Sequence, residues 1–172
     1  TVLDLAEVFK GSVSNPEIRR VELMVRIRGY EEYAQAEGMQ AVFYTITAPS
    51  QYHANSKKYN NATPKETQAF LVNQWAKVRA ELSKAEVPVF GVRVVEPHHD
   101  ATPHWHMLLF MKPEHENATT STIKKYAMQI DGDEQGAAKA RFTAEYIDPA
   151  KGSAVGYIAK YISKNINANH VE

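Results

Sequence analysis

The stretch Thr102-Pro-His-Trp-His-Met-Leu-Leu-Phe110 limits the fold more than any other part of the chain. Successive side chains of an extended strand point to opposite faces. His104, His106, Leu108 and Phe110 therefore share one face, and Trp105, Met107 and Leu109 share the other. A strand apolar on both faces has to be covered on both, which places it at the centre of a sheet with packing above and below. Two imidazoles side by side on such a strand are either hydrogen-bonded core histidines or two nitrogen ligands of a metal ion.

Composition narrows the choice of partner. The chain has 172 residues, 44% hydrophobic and 23% charged, which suits one soluble globular domain with a core of its own, while its fold class, α+β, follows from the order of its elements. No apolar run reaches the roughly 18 residues of a membrane span, and the N-terminus has no signal-peptide pattern, so no membrane partner is expected. There is no cysteine, hence no disulfide and no thiolate ligand, in keeping with a cytosolic protein. Any metal must take imidazole and oxygen ligands, which favours Mg or Mn, with Zn as a third choice. Twenty basic and twenty acidic residues cancel. That balance counts against an overall basic nucleic-acid binder but leaves room for a local basic groove. Neither end carries a boundary signal, so the chain is expected to be a domain of a longer protein.

Taken in order, residues 1–10 predict a short helix stopped by Gly11. Asn15-Pro16-Glu17 reads as cap, first-turn proline and an acid at the positive end of a second helix, running as far as Gly38. Its stripe is expected to be Ile18, Val21, Met24, Val25 and Ile27, with Arg19, Arg20, Arg26 and Arg28 on a solvated face. Gly29 weighs against an unbroken helix. Met39–Ala48 predicts a strand, and the polar residues 49–64 a functional loop. Thr63-Pro-Lys-Glu66 is a capping box opening a helix with Phe70, Leu71, Trp75, Val78 and Leu82 inward. Val87–Glu96 and the histidine strand then form a hairpin. A helix over Thr119–Ile130, an edge strand over Ala140–Ile147 and a helix over Lys151–Asn165 follow. Setting aside the first two helices (residues 1–38) and the last leaves β-α-β-β-α-β, a ferredoxin-like (RRM-like) antiparallel sheet, with the core expected over residues 39–167.

Two clusters carry chemistry. Glu96, at the end of the strand paired with the histidines, can bring a carboxylate to the face of His104 and His106. Two imidazoles and one carboxylate leave positions open for a substrate oxygen, as a catalytic metal requires. His98, His99 and Asp100 in the connection are alternatives for the third ligand. The last helix holds Tyr157-Ile-Ala-Lys160-Tyr161-Ile-Ser-Lys164. Tyrosines four apart share one helix face, lysines three after each lie close by, and Ile158, Ile162 and Ile166 form a separate inward stripe. The plain alternative is an amphipathic helix with half-buried tyrosines. A tyrosine hydroxyl is also a nucleophile, and an ammonium beside it stabilises its anion and an attacked phosphate.

The histidine strand together with the Tyr-x-x-Lys-Tyr-x-x-Lys helix resembles the HUH endonucleases, and more closely the replication gene A proteins of tailed bacteriophages, two-tyrosine rolling-circle initiators. The likeness runs through Glu22-Leu-Met-Val-Arg-Ile-Arg-Gly29, Thr45-Ile-Thr-Ala-Pro-Ser-Gln-Tyr-His53 and Val95-Glu-Pro-His-His-Asp-Ala-Thr-Pro-His104, covering about residues 17–167. It implies that Glu96, His104 and His106 bind a divalent metal, Mg or Mn, and that Tyr157 and Tyr161 are nucleophiles assisted by Lys160 and Lys164. It also implies a single nuclease domain from a larger phage or prophage protein working in the bacterial cytoplasm. The substrate would be single-stranded DNA at a replication origin, with the host helicase and replication machinery as partners.

The implied reaction is transesterification. One tyrosine forms a 5′-phosphotyrosine and frees a 3′-OH, and the other later resolves the junction to release a circle. In the loop, Ser50, Gln51, Tyr52 and His53 are candidates for DNA contact, Tyr52 by stacking on a base. Gln51 departs from the basic residue expected in Pro-Ser-x-Tyr-His. A relaxase or transposase shares this chemistry. An RRM-like RNA-binding module shares the element order but needs exposed aromatics on the sheet face and an RNP motif. A water-using metal hydrolase is a third rival.

Overall fold

The histidine strand is central, as its two-sided apolar pattern requires. In the computed structural model, which describes residues 4–166 and the side chains of residues up to 162, the strands are β1 (Gln40–Thr47), β2 (Phe90–Pro97), β3 (Pro103–Met111) and β4 (Phe142–Ile147). They form one antiparallel sheet in the order β2-β3-β1-β4. The helices are α1 (Leu5–Lys10), α2 (Pro16–Ala36), α3 (Pro64–Lys84), α4 (Glu116–Ala127), α5 (Ala137–Ala140) and α6 (Ala154–Ile166). The unit from β1 through α3, β2, β3 and α4 to β4 is the expected β-α-β-β-α-β order. Among the described residues no helix is long and apolar enough to cross a membrane.

Helices cover both faces of the sheet. On one, Leu71, Val78 and Leu82 of α3 and Ile123 of α4 pack on Val42, Tyr44, Ile46, Trp105, Met107 and Leu109. On the other, Ile27 and Ala34 of α2 and Ala154, Ile158 and Ile162 of α6 pack on Phe43, Val94, Leu108 and Phe110. The period-2 alternation of β3 thus feeds two separate cores. Trp105 is 1% exposed, and its indole N–H donates to Gln68 at 2.9 Å, so the polar edge of this large ring is satisfied within the core.

Local signals behave largely as the residues dictate. Asn15 caps α2, and Thr63 and Glu66 form the reciprocal capping box of α3. Gly29 does not break α2. The stripe of that helix is corrected: it buries Ile27 and Ala34, with Leu23, Met24 and Tyr30 partly covered, while Val21 and Val25 stay exposed. At about 100° per residue, positions 21 and 25 lie on the far side of the helix from position 27. Helix α4 starts three residues earlier than expected because a turn at Pro113–His115 feeds directly into Glu116. The expected strand from Ala140 begins instead at Phe142, after the short α5.

Candidate active site

The histidine face of the sheet is built by cross-strand register. On β1, Thr47 stands opposite His104 and Thr45 opposite His106. On β2, Glu96 stands opposite His104. The threonine hydroxyls lie 2.7 Å from His104 Nδ1 and 3.1 Å from His106 Nδ1, fixing both rings and leaving each Nε2 as the outward nitrogen. Glu96 Oε2 lies 3.0 Å from His106 Nε2. A carboxylate only accepts, so this nitrogen carries the proton, and in the neutral ring Nδ1 accepts from Thr45. Burial first, then the imidazoles of His106 and His98, bring His104 down to about 4, so it is a neutral imidazole near pH 7.

Helix α6 lies over this face. Ile158 and Ile162 are buried, as the stripe predicts, while the side chains of Lys164 and Ile166 lie outside the described residues. The N-terminus of α6 is held by Glu31 of α2, whose carboxylate accepts from Ala154 N at 2.6 Å, and by Ser153 Oγ, which accepts from Gly156 N at 3.1 Å. This docking sets Tyr161 on the His106 ring, 3.9 Å between centroids, and stacks it on Phe43 at 5.2 Å. Tyr157 tilts against the same Phe43 at 5.8 Å, and its hydroxyl donates to Glu145 of β4. That hydrogen bond, with burial second, raises the Tyr157 phenol above its ordinary value. Lys160 Nζ sits 4.7 Å from the centre of the Tyr161 ring.

The structure therefore brings Glu96, His104, His106, Tyr157, Lys160 and Tyr161 into one neighbourhood. Of the alternatives to Glu96, His98 is exposed with its ring 5.4 Å from that of His104, and His99 is exposed. Asp100 turns away to His53 Nδ1, 3.1 Å off, and to Thr102 N, also 3.1 Å off. Two imidazoles beside a carboxylate are a donor set of the right chemistry for a divalent ion. Among the described residues, however, no group of three such side chains is arranged to hold one. Glu96 bonds to His106 directly, and an ion would compete for that carboxylate.

The loop candidates are each tied into the fold. Tyr52 stacks on Phe70 at 4.8 Å rather than standing free, and Gln51 accepts from Asn60 Nδ2 at 3.1 Å. His53 faces Asp100 and the Ala48 carbonyl oxygen. Ser50 Oγ and Lys58 Nζ donate to Glu134 at 2.6 and 2.7 Å, and Arg141, 3% exposed, donates to the same carboxylate. The bond from Lys58, then that from Ser50, outweigh burial and with Arg141 bring Glu134 down to about 2. A carboxyl lowered on folding stabilises the fold above its ordinary value near 4.5, and this is lost as pH falls towards about 2. Glu134→Gln is expected to lower the thermal midpoint at pH 7 and to flatten its decline between pH 4.5 and 2. An unchanged midpoint and an unchanged acid decline would refute this role.

Local patterns did not single out Thr45, Thr47, Phe43 or Glu145. The threonines lie in a run whose β-branched composition already accounts for them as strand formers, and only register brings them to the histidines.

A family model described as bacteriophage replication gene A protein matches residues 1–169. The chain is 87% identical over its whole length to a probable replication protein P12 of Pseudoalteromonas phage PM2, covering 27% of that protein. It is 53% identical to a replication gene A protein of Escherichia phage 186, over 96% of this chain and 25% of that one. It is 44% identical to a probable replication endonuclease from a prophage-like region of Salmonella paratyphi A, over 96% of this chain and 22% of that one. The chain thus spans about a quarter of the length of these relatives. No solved structure matches it.

Proposed function

The chain belongs to the bacteriophage replication gene A protein family, and from that premise we propose that it is the nicking-and-joining domain of a rolling-circle replication protein. The observation that carries this reading is the docking of α6 on β3, which lays Tyr161 against His106 and sets Tyr157 on the same Phe43 ring. The name of the Salmonella relative, a probable replication endonuclease, supports nuclease chemistry.

Glu96, His104 and His106 would hold the divalent ion, Mg or Mn. Bound there, it would polarise the scissile phosphate of single-stranded origin DNA and neutralise charge developing on it. One tyrosine hydroxyl attacks phosphorus and the bond to the 3′-oxygen breaks, leaving a 5′-phosphotyrosine and a 3′-OH that a polymerase extends. The second tyrosine later cleaves the regenerated junction, and the freed 3′-OH attacks the first linkage to release a circle. Two hydroxyls on adjacent turns, both rings resting on Phe43, serve this alternation with little movement of the helix. Lys160 supplies positive charge beside Tyr161, and the same role for Tyr157 and its successor is assigned to Lys160 and Lys164 by their spacing. Because the phosphodiester energy is kept in the covalent link, joining needs no ATP. The host helicase and replication machinery in the bacterial cytoplasm are the proposed partners, with no membrane involved.

The test incubates the protein with labelled single-stranded oligonucleotides tiling the replication origin, with Mn or Mg and with chelator. A covalent adduct dependent on metal, mapped to the peptide holding Tyr157 and Tyr161, is expected. Cleaved product without adduct would identify a water-using hydrolase instead, and binding without cleavage a plain binding module.

A further inference from the structure

We propose that Glu145 is the general base for Tyr157, taking the phenol proton as that hydroxyl attacks the scissile phosphate; this rests on the nicking-and-joining reading. Glu145 stands opposite Phe43 in the β1–β4 register, so its carboxylate rises on the histidine face of the sheet. Phe43 in turn lies beneath the Tyr157 ring, and the Tyr157 hydroxyl donates to Glu145 Oε1. The contact is not a chance meeting of two surface chains. Tyr157 is carried by a helix anchored through buried Ala154, Ile158 and Ile162 and tied at its first residue to Glu31. Among the described residues, the charged or titratable groups acting on this phenol are Glu145 from β4 and Tyr161 from its own helix.

Chemistry explains what the carboxylate adds. A tyrosine of ordinary acidity, near 10, is ionised in only about one molecule in a thousand at pH 7. A base within hydrogen-bond reach removes the need to ionise beforehand. As the phenol oxygen bonds to phosphorus its proton becomes far more acidic and passes to Glu145. The P–O3′ bond breaks and the departing 3′-oxygen takes a proton from water. Glu145 is exposed on an edge strand, so it exchanges its proton with solvent. In the reverse, joining step, protonated Glu145 returns a proton to the leaving phenolate.

The experiment isolates each nucleophile. Tyr161→Phe leaves Tyr157 to react, Tyr157→Phe leaves Tyr161, and each is compared with and without Glu145→Gln on labelled single-stranded origin oligonucleotide. With Tyr157 acting, Glu145→Gln is expected to slow adduct formation about 100-fold or more, and Glu145→Asp to recover part of the loss. The slowed rate should also climb about tenfold per pH unit between 6 and 8, because only pre-formed phenolate then reacts. With Tyr161 acting, Glu145→Gln should change the rate by less than about threefold, which also shows that the variant folds. An unchanged or faster Tyr157 reaction overturns the proposal, as does an equal loss in both backgrounds. If neither tyrosine forms an adduct while Glu145 is intact, the nicking-and-joining reading itself fails, and this proposal with it.

Discussion

The Tyr157→Phe/Tyr161→Phe protein is expected to fold normally and to form no covalent adduct with single-stranded DNA, its strand cleavage falling on the order of 10⁴-fold or more. Phenylalanine keeps both rings, so the stack of residue 161 on His106 and Phe43 and the contact of residue 157 with Phe43 persist. What disappears is the pair of oxygens able to bond phosphorus. Each single variant should still form an adduct on its remaining hydroxyl, yet fail to complete the second cleavage that releases a circle. Denaturing gels of labelled oligonucleotide read the adduct, and thermal melting shows whether the fold is kept. Adduct surviving in the double variant would place the nucleophile elsewhere and remove the α6 tyrosines from the mechanism.

Gly91→Ala is expected to destabilise the domain by about 3 kcal/mol or more, the sum of an overpacked contact and a backbone angle that side chains avoid. Gly91 has φ +155°, and a Cβ built there would stand 2.0 Å from the Leu108 carbonyl oxygen and 3.0 Å from Leu109 Cα. Those atoms belong to β3, which pairs with β2 on one side and β1 on the other, so they cannot retreat without loosening the ladder. The same ladder holds Glu96 across from His104. Loss of stability should therefore come with loss of activity, measured by chemical denaturation beside the adduct assay. A change below about 1 kcal/mol would show that the β2–β3 pair yields more easily than its register implies.

Much of this architecture is legible residue by residue, because its causes are local. Asn15 and the Thr63/Glu66 box announce helix starts, since orphan N–H groups need an oxygen at those places. The alternation of β3 announces a covered central strand. The spacing of Tyr157 and Tyr161 announces a shared helix face. What misleads is equally physical. Val21 and Val25 have the apolar character of a core stripe, but the side that α2 buries is chosen by the sheet and α6, not by its own residues. Contacts across the fold go equally unannounced: the hydroxyl of Ser50, in a polar loop, donates to Glu134, 84 positions away.

The chemistry of the candidate site divides along the same line. His104, His106, Glu96 and the two tyrosines could be named from residue type and short-range spacing alone, because strand and helix periods set which side chains are neighbours within an element. Their outer partners could not. Thr45 and Thr47 reach the imidazoles, Glu31 reaches the first turn of α6, and Glu145 reaches Tyr157 only through strand register and helix docking. Those contacts join residues between 12 and 123 positions apart, and no periodic pattern along a chain encodes them. The candidate groups were written in the order of residues; which oxygen holds each imidazole and which carboxylate meets a tyrosine was decided when the layers closed.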